Sequence, residues 1–210
     1  MKEKNLWNLY AWKLRDIILA SLLAALFAVV CFATFHGVNF GLMPLLAPLG
    51  LGIFPLEAVF GVFFFSALFA GYVMQKPGVA TVVGFLTGLI QVFMGSAGAA
   101  TVAVSGLVQG FGAEVIFALF RYKKFNWTTM ILAAIGATVA SFILAWYRDL
   151  FVEIQFSIIA GRFVVRSMSA ILISGIIAKA LADRLAYAGV LKSYPLGANY
   201  VGEIDEPASE

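Results

Sequence analysis

Apolar residues run through this chain in six blocks, each ended by a short polar or glycine- and proline-rich break. The blocks are Ile17 to Phe35, Leu56 to Met74, Val79 to Met94, Ala99 to Phe120, Trp127 or Thr128 to Tyr147, and about Ser157 to Leu181. Most reach the roughly 20 residues that carry an α-helix across the hydrocarbon of a bilayer. Lipid offers the backbone no hydrogen-bond partner, so continuous apolar runs of this length predict helices. The fold class that follows is an all-α integral membrane protein with six transmembrane helices. Residues 17–185 form the helical domain, 1–16 an interfacial amphipathic segment, and 186–210 a cytoplasmic tail that is acidic at its end.

Composition agrees with this reading. Of 210 residues, 62% are hydrophobic and 12% charged, and the mean hydropathy is +0.98. The leader MKEKNLWNLYAWKLRD mixes basic side chains with Trp7, Tyr10 and Trp12, a combination suited to the headgroup boundary. A basic start before an apolar run also describes a signal peptide. Here the run is longer than a usual signal core, no A-x-A-like site closes it, and further spans follow, so it is expected to stay in the protein. With the amino terminus inside, the inner segments carry eleven Lys and Arg and the outer ones three, Arg148, Arg162 and Arg166. That asymmetry places both termini in the cytoplasm.

Between the first two spans, HGVNFGLMPLLAPLGLGIFP (36–55) is broken by glycines and three prolines yet remains apolar. It reads as a lid or re-entrant segment folded over the bundle, since irregular backbone at membrane depth survives only against protein or a cavity. In the first span Ala20, Ala24 and Ala28 share one helical stripe, which suits either close packing inside the chain or docking of another membrane subunit. In the third span Gly84 and Gly88 form a similar pair, and Thr87, Gln91 and Gly95 lie on one stripe.

The candidate chemistry lies in a few polar groups within apolar surroundings. Span four carries Ser105, Gln109 and Glu114; buried polar and acidic groups in a spanning helix usually face a partner, a bundle interior or a cavity. Gln91 and Ser96 fall near the outer end of span three, Glu57 at the top of span two, and Trp146, Tyr147 and Arg148 at the outer end of span five. Together with His36 and Asn39 these groups are expected to converge on an outward-facing pocket beneath the proline-rich segment. Amides and carboxylates pair with the edge of a flat heterocycle, and aromatic faces stack on it, so a neutral or cationic heteroaromatic ligand would suit the lining.

Plainer roles exist for each. Gln91 and Gln109 can bridge helices, Ser105 can bond its own backbone, and Trp146 and Tyr147 can belong to an interfacial aromatic belt. Glu114 lies deeper than Gln109 and on another face, where it can pair with a basic group, stay protonated or sit at a subunit contact. Arg162 and Arg166 can be tied to Asp149, Glu153 or Glu57. His36 lacks the second His or Cys that a metal site needs, and no metal or cofactor is expected. Catalysis is not expected either. GSAG at 95–98 lacks the strand–turn–helix setting of a nucleophile elbow, and no P-loop lysine motif is present. With no inverted repeat to suggest a carrier, a binding subunit fits best. A self-sufficient channel or facilitator for a small heteroaromatic solute and a membrane scaffold are the alternatives.

Four stretches carry a resemblance: WKLRDIIL at 12–19, PLGLGIFPLEAVFGVFF at 48–64, AGYVMQKPG at 70–78 and LVQGFGAEVIFALFRYKKF at 107–125. They resemble the substrate-binding S components of energy-coupling factor (ECF) vitamin transporters, specifically those for thiamin or hydroxymethylpyrimidine, over most of residues 12–185. The resemblance implies a six-helix S-component fold in the bacterial cytoplasmic membrane. It also implies capture of the vitamin from outside and assembly with a transmembrane coupling protein and two cytoplasmic ABC ATPases, with no role for nucleic acid. An alanine-rich first helix is the docking element in that family, and Ala20, Ala24 and Ala28 match it.

Overall fold

The computed structural model describes residues 11–52, 54–96, 98–148 and 154–198. These form six apolar helical rods, with no β-strand among the described residues. They are α1 (Leu14–Leu49), α2 (Phe54–Met74), α3 (Val79–Phe93), α4 (Ala99–Leu119), α5 (Trp127–Tyr147) and α6 (Phe156–Tyr187). Five are long and apolar enough to cross a membrane, and α3, at 15 residues, is shorter. A helix of that length spans about 22 Å, less than the hydrocarbon thickness of roughly 30 Å, so the protein is thinnest at α3.

The helices begin and end where the apolar runs do, apart from the segment 36–55. That segment was expected to be an irregular lid, and most of it continues α1. The helix widens into a π-helical turn at Val38–Leu42, resumes over Met43–Leu46 and tightens to a 3-10 turn at Ala47–Leu49. Pro44 and Pro48 each fall where one helical form gives way to the next, so the ladder bond that each proline withholds is lost at a change of pitch. Carbonyls near the bulge also meet side chains: His36 Nδ1 lies 2.9 Å from the Phe32 carbonyl, and Asn39 donates at 2.8 Å to the Phe35 carbonyl, which the Val38 N–H shares. The turn out of α1 is made by Gly50 at φ +71°, a left-handed conformation that suits glycine.

The core is built by very close helix contacts. A Cβ added to Gly84 would stand 2.6 Å from the Gly106 carbonyl oxygen, and one added to Gly136 would stand 2.6 Å from that of Gly112. Glycine is therefore required for α3 to lie against α4, and α4 against α5, at this distance. The alanine stripe serves the same purpose. Ala20, Ala24 and Ala28 are at most 1% exposed, in the face of α1 that packs on α2 and α3. Of the two roles that the stripe suits, the packing one is visible here: the small side chains let α1 approach its own bundle. The outward face of α1 carries Ile18, Leu22, Leu26 and Val29.

Two ends of the bundle differ in character. At one, Lys76 bonds Asp16 and the Ala11 carbonyl, Tyr72 donates to Asp183 at 2.6 Å, and Lys179 pairs with Asp183 at 2.5 Å while lying over the Trp127 ring. Within the segment 186–210, expected as a cytoplasmic tail, residues 191–196 fold onto this end. Leu191 and Leu196 are buried there, and Tyr194 donates to the Arg15 carbonyl at 3.1 Å. The leader 1–10 and the acidic residues Glu203, Asp205, Glu206 and Glu210 lie outside the described residues. The opposite end holds the cavity.

Candidate functional site

A hollow runs along the second half of α3, between it and α1, α2 and α4, where Gly84, Gly88 and Gly106 contribute no side chain. The resulting cavity encloses about 240 Å³. Its polar lining comes from two helices in register: Thr87 and Gln91 one turn apart on α3, and Thr101, Ser105 and Gln109 at four-residue steps on α4. Phe35 of α1 and Phe60 and Phe63 of α2 supply the aromatic side, and Arg148, just beyond α5, supplies the one charged side chain in the described lining.

Hydrogen bonds within this wall leave a definite residue of unused capacity. Thr87 Oγ1 bonds the Val83 carbonyl at 2.8 Å and lies 3.0 Å from Ser66 Oγ; Ser105 donates to the Thr101 carbonyl at 2.7 Å; Gln91 Nε2 donates to the Thr87 carbonyl at 3.2 Å. The Gln109 side chain, on a residue only 8% exposed, has no hydrogen-bond partner among the described residues. An amide so placed holds two donors and an acceptor toward the cavity. A ligand that pairs with these groups gains hydrogen bonds that the protein itself leaves unmade, each worth about 0.5–1.5 kcal/mol net of the water it displaces.

Sequence reasoning thus grouped Gln91, Ser105 and Gln109 as the structure does. Four other expected ligand groups lie elsewhere. Glu57 is buried behind the cavity wall, held by Arg162 and Arg166. Glu114 is at the opposite end of α4, where its carboxylate accepts from the backbone N–H groups of Gly78 at 2.8 Å, Ala80 at 2.9 Å and Thr81 at 3.3 Å, and from the Tyr122 hydroxyl at 2.6 Å. It caps the start of α3, the position where a helix favours negative charge. Trp146 and Tyr147 are 66% and 85% exposed and border a separate, shallow apolar groove with Phe142 and Phe163. Their place at the outside of α5 is that of a lipid-facing belt.

His36 stacks on Phe32 with centroids 4.0 Å apart and, with Asn39, bonds its own helix, so neither is among the lining residues although Phe35 beside them is. Phe60 and Phe63 were missed because α2 is apolar all round and its pattern marks no face. Thr87 could be found, since it precedes Gln91 by one turn.

Comparison with known proteins gives the same architecture a family. The family described as the permease component of ABC-type cobalt transport systems matches residues 15–140. The chain is 34% identical over 193 residues to the putative HMP/thiamine permease protein YkoE of Bacillus subtilis (strain 168), covering 89% of this chain and 91% of that protein. It superposes on a crystal structure of an S-component of an ECF transporter with a TM-score of 0.83 at 31% identity, over 92% of this chain and 95% of the other. Fold and these matches agree, and the chain belongs to the YkoE-type family of membrane S components, the substrate-binding subunits of ECF importers.

Proposed function

We propose that this S component captures hydroxymethylpyrimidine, free or as the pyrimidine half of thiamin, from outside the cell. The single observation that carries the reading is the unpaired Gln109 amide facing a cavity otherwise walled by Phe35, Phe60 and Phe63. An aminopyrimidine presents a donor and ring acceptors along one edge and two flat apolar faces. Gln109 and the free oxygen of Gln91 suit the edge, and the phenyl rings suit the faces. Arg148 at the rim suits a hydroxyl oxygen.

Size supports the pyrimidine as the recognised part, because about 240 Å³ lies just below the usual range of roughly 300–1,000 Å³ for small-molecule sites. The described lining contains no carboxylate to pair with a thiazolium. It also contains no His, Cys, Asp or Glu, the side chains that bind a transition metal, which favours an organic ligand over cobalt. With the cavity end outward and both termini cytoplasmic, the bundle would present its basic end to a coupling protein driven by two ABC ATPases. The exposed apolar face of α1 is the surface left for that contact.

Isothermal titration calorimetry of the purified protein tests the ligand. Calorimetry is chosen over tryptophan fluorescence because none of the described tryptophans, Trp12, Trp127 and Trp146, lines the cavity. Binding of hydroxymethylpyrimidine is expected, and Gln109→Ala should weaken it about 5- to 150-fold, the equivalent of roughly 1–3 kcal/mol. Flat titrations with both hydroxymethylpyrimidine and thiamin would sink the assignment. Flux in liposomes holding this chain alone would favour the channel reading instead.

A further inference from the structure

The part of the molecule that the proposed function leaves unused is a buried ionic cluster directly behind the cavity. Glu57 is 1% exposed. Arg166 donates to both of its oxygens, from Nε at 2.5 Å and from Nη2 at 2.8 Å, and Arg162 donates from Nε at 2.7 Å. The remaining Arg166 nitrogen, Nη1, donates to Ser141 Oγ on α5 at 2.9 Å. A fork fixed at three points keeps its plane fixed. That plane lies on Phe60, with the guanidinium carbon 3.6 Å from the ring centroid, and Phe142 closes on it at 4.5 Å.

Phe60 needs such support because of where it stands. The α-helix of α2 is interrupted between Ala58 and Gly61, so the backbone there lacks its full ladder. The chain is stitched to α6 on both sides of Phe60: Glu57 to the arginines before it, and Gly61 after it, whose N–H donates to Ser169 Oγ at 3.0 Å and whose carbonyl accepts from Ser174 Oγ. Phe60 is itself a cavity wall.

We propose that Arg166 is a positioning residue for the ligand: clamped by Glu57 and Ser141, it holds the Phe60 ring as the stacking wall of the cavity and so sets affinity without touching the ligand. This rests on the pyrimidine reading for its affinity arm alone. Arg166→Lys keeps the charge facing Glu57 and loses the flat guanidinium; Phe60→Leu removes the ring.

The experiment combines two measurements. In ligand-free protein carrying 4-fluorophenylalanine at position 60, the fluorine resonance should shift and broaden in Arg166→Lys, as the ring samples more orientations. In calorimetry with hydroxymethylpyrimidine, Arg166→Lys should weaken binding at least tenfold, and the Arg166→Lys/Phe60→Leu double variant should bind no worse than Phe60→Leu alone. An unchanged resonance, wild-type affinity in Arg166→Lys, or losses that add in full would each overturn the proposal. If Arg166→Lys does not fold, Ser141→Ala, which frees only Nη1, should give the same fluorine change in smaller degree, and its absence counts against the clamp. A wild-type protein that binds no pyrimidine would refute the ligand assignment, while the fluorine comparison would still decide the clamp.

Discussion

Glu114 shows how a residue's chemistry can be read correctly while its partner is missed. An acid in the middle of an apolar helix needs hydrogen-bond donors, and here they are the first backbone N–H groups of α3 and a tyrosine hydroxyl. No spacing in the sequence reveals that a helix start will lie beside residue 114, so the search for a basic side chain or a ligand looked in the wrong place. Removing the carboxylate with Glu114→Ala should cost about 1–3 kcal/mol by orphaning those donors, with pyrimidine affinity unchanged; thermal unfolding and calorimetry on one preparation separate the two. Gln109 is the converse case, a polar group in the same helix that its own chain leaves unsatisfied. Tyr194 adds a pH dependence at the basic end. Burial, with Asp16 nearby, raises its hydroxyl above the ordinary tyrosine value, against a smaller opposing pull from Arg15. The folded state therefore holds this proton more tightly than the unfolded chain. The stabilisation is complete below the ordinary value near 10 and is lost as pH rises through the folded one, so wild-type melting temperature should fall more steeply than that of Tyr194→Phe above about pH 10.

At the scale of elements, apolar run length located all six helices, because in lipid a backbone that must bond internally has few other choices. Two features of these elements were not legible. The prolines of segment 36–55 suggested a broken loop, but an interior proline can distort a helix without ending it, and these sit where α, π and 3-10 turns succeed one another in a continuous rod. Four-residue stripes of small side chains also look the same whether they face the bundle or the membrane, so the alanines of α1 could not be assigned a side. The glycines are more exacting. Gly84→Val should force α3 from α4, since its Cβ would already meet the Gly106 carbonyl, and because both residues line the cavity, ligand binding should fall with stability. Overpacking of this kind costs typically about 1–3 kcal/mol. Gly41→Ala, where nothing lies within 4 Å, is the matched control and should leave melting temperature and affinity near wild type.

For the whole molecule, what matters is which end faces outward, because an importer's S component must open its cavity to the outside to capture its substrate. Charge and structure bear on this independently. Two of the three cations counted on the cavity side, Arg162 and Arg166, are consumed by Glu57 within the bundle, which leaves Arg148 there among the described residues. Arg15, Arg121, Lys123 and Lys124 lie at the opposite end, so the asymmetry is steeper than a count along the sequence indicates. The described ends of the chain also meet at that basic end, through Tyr194 and Arg15, as an even number of crossings requires. Single-cysteine variants in a Cys31→Ala background put this to the test, since the native thiol is buried. With a membrane-impermeant maleimide on intact cells, Leu49→Cys, 69% exposed at the end of α1, should label at once, and Lys123→Cys only after permeabilisation. The reverse pattern would turn the cavity toward the cytoplasm and remove the basis for uptake through it.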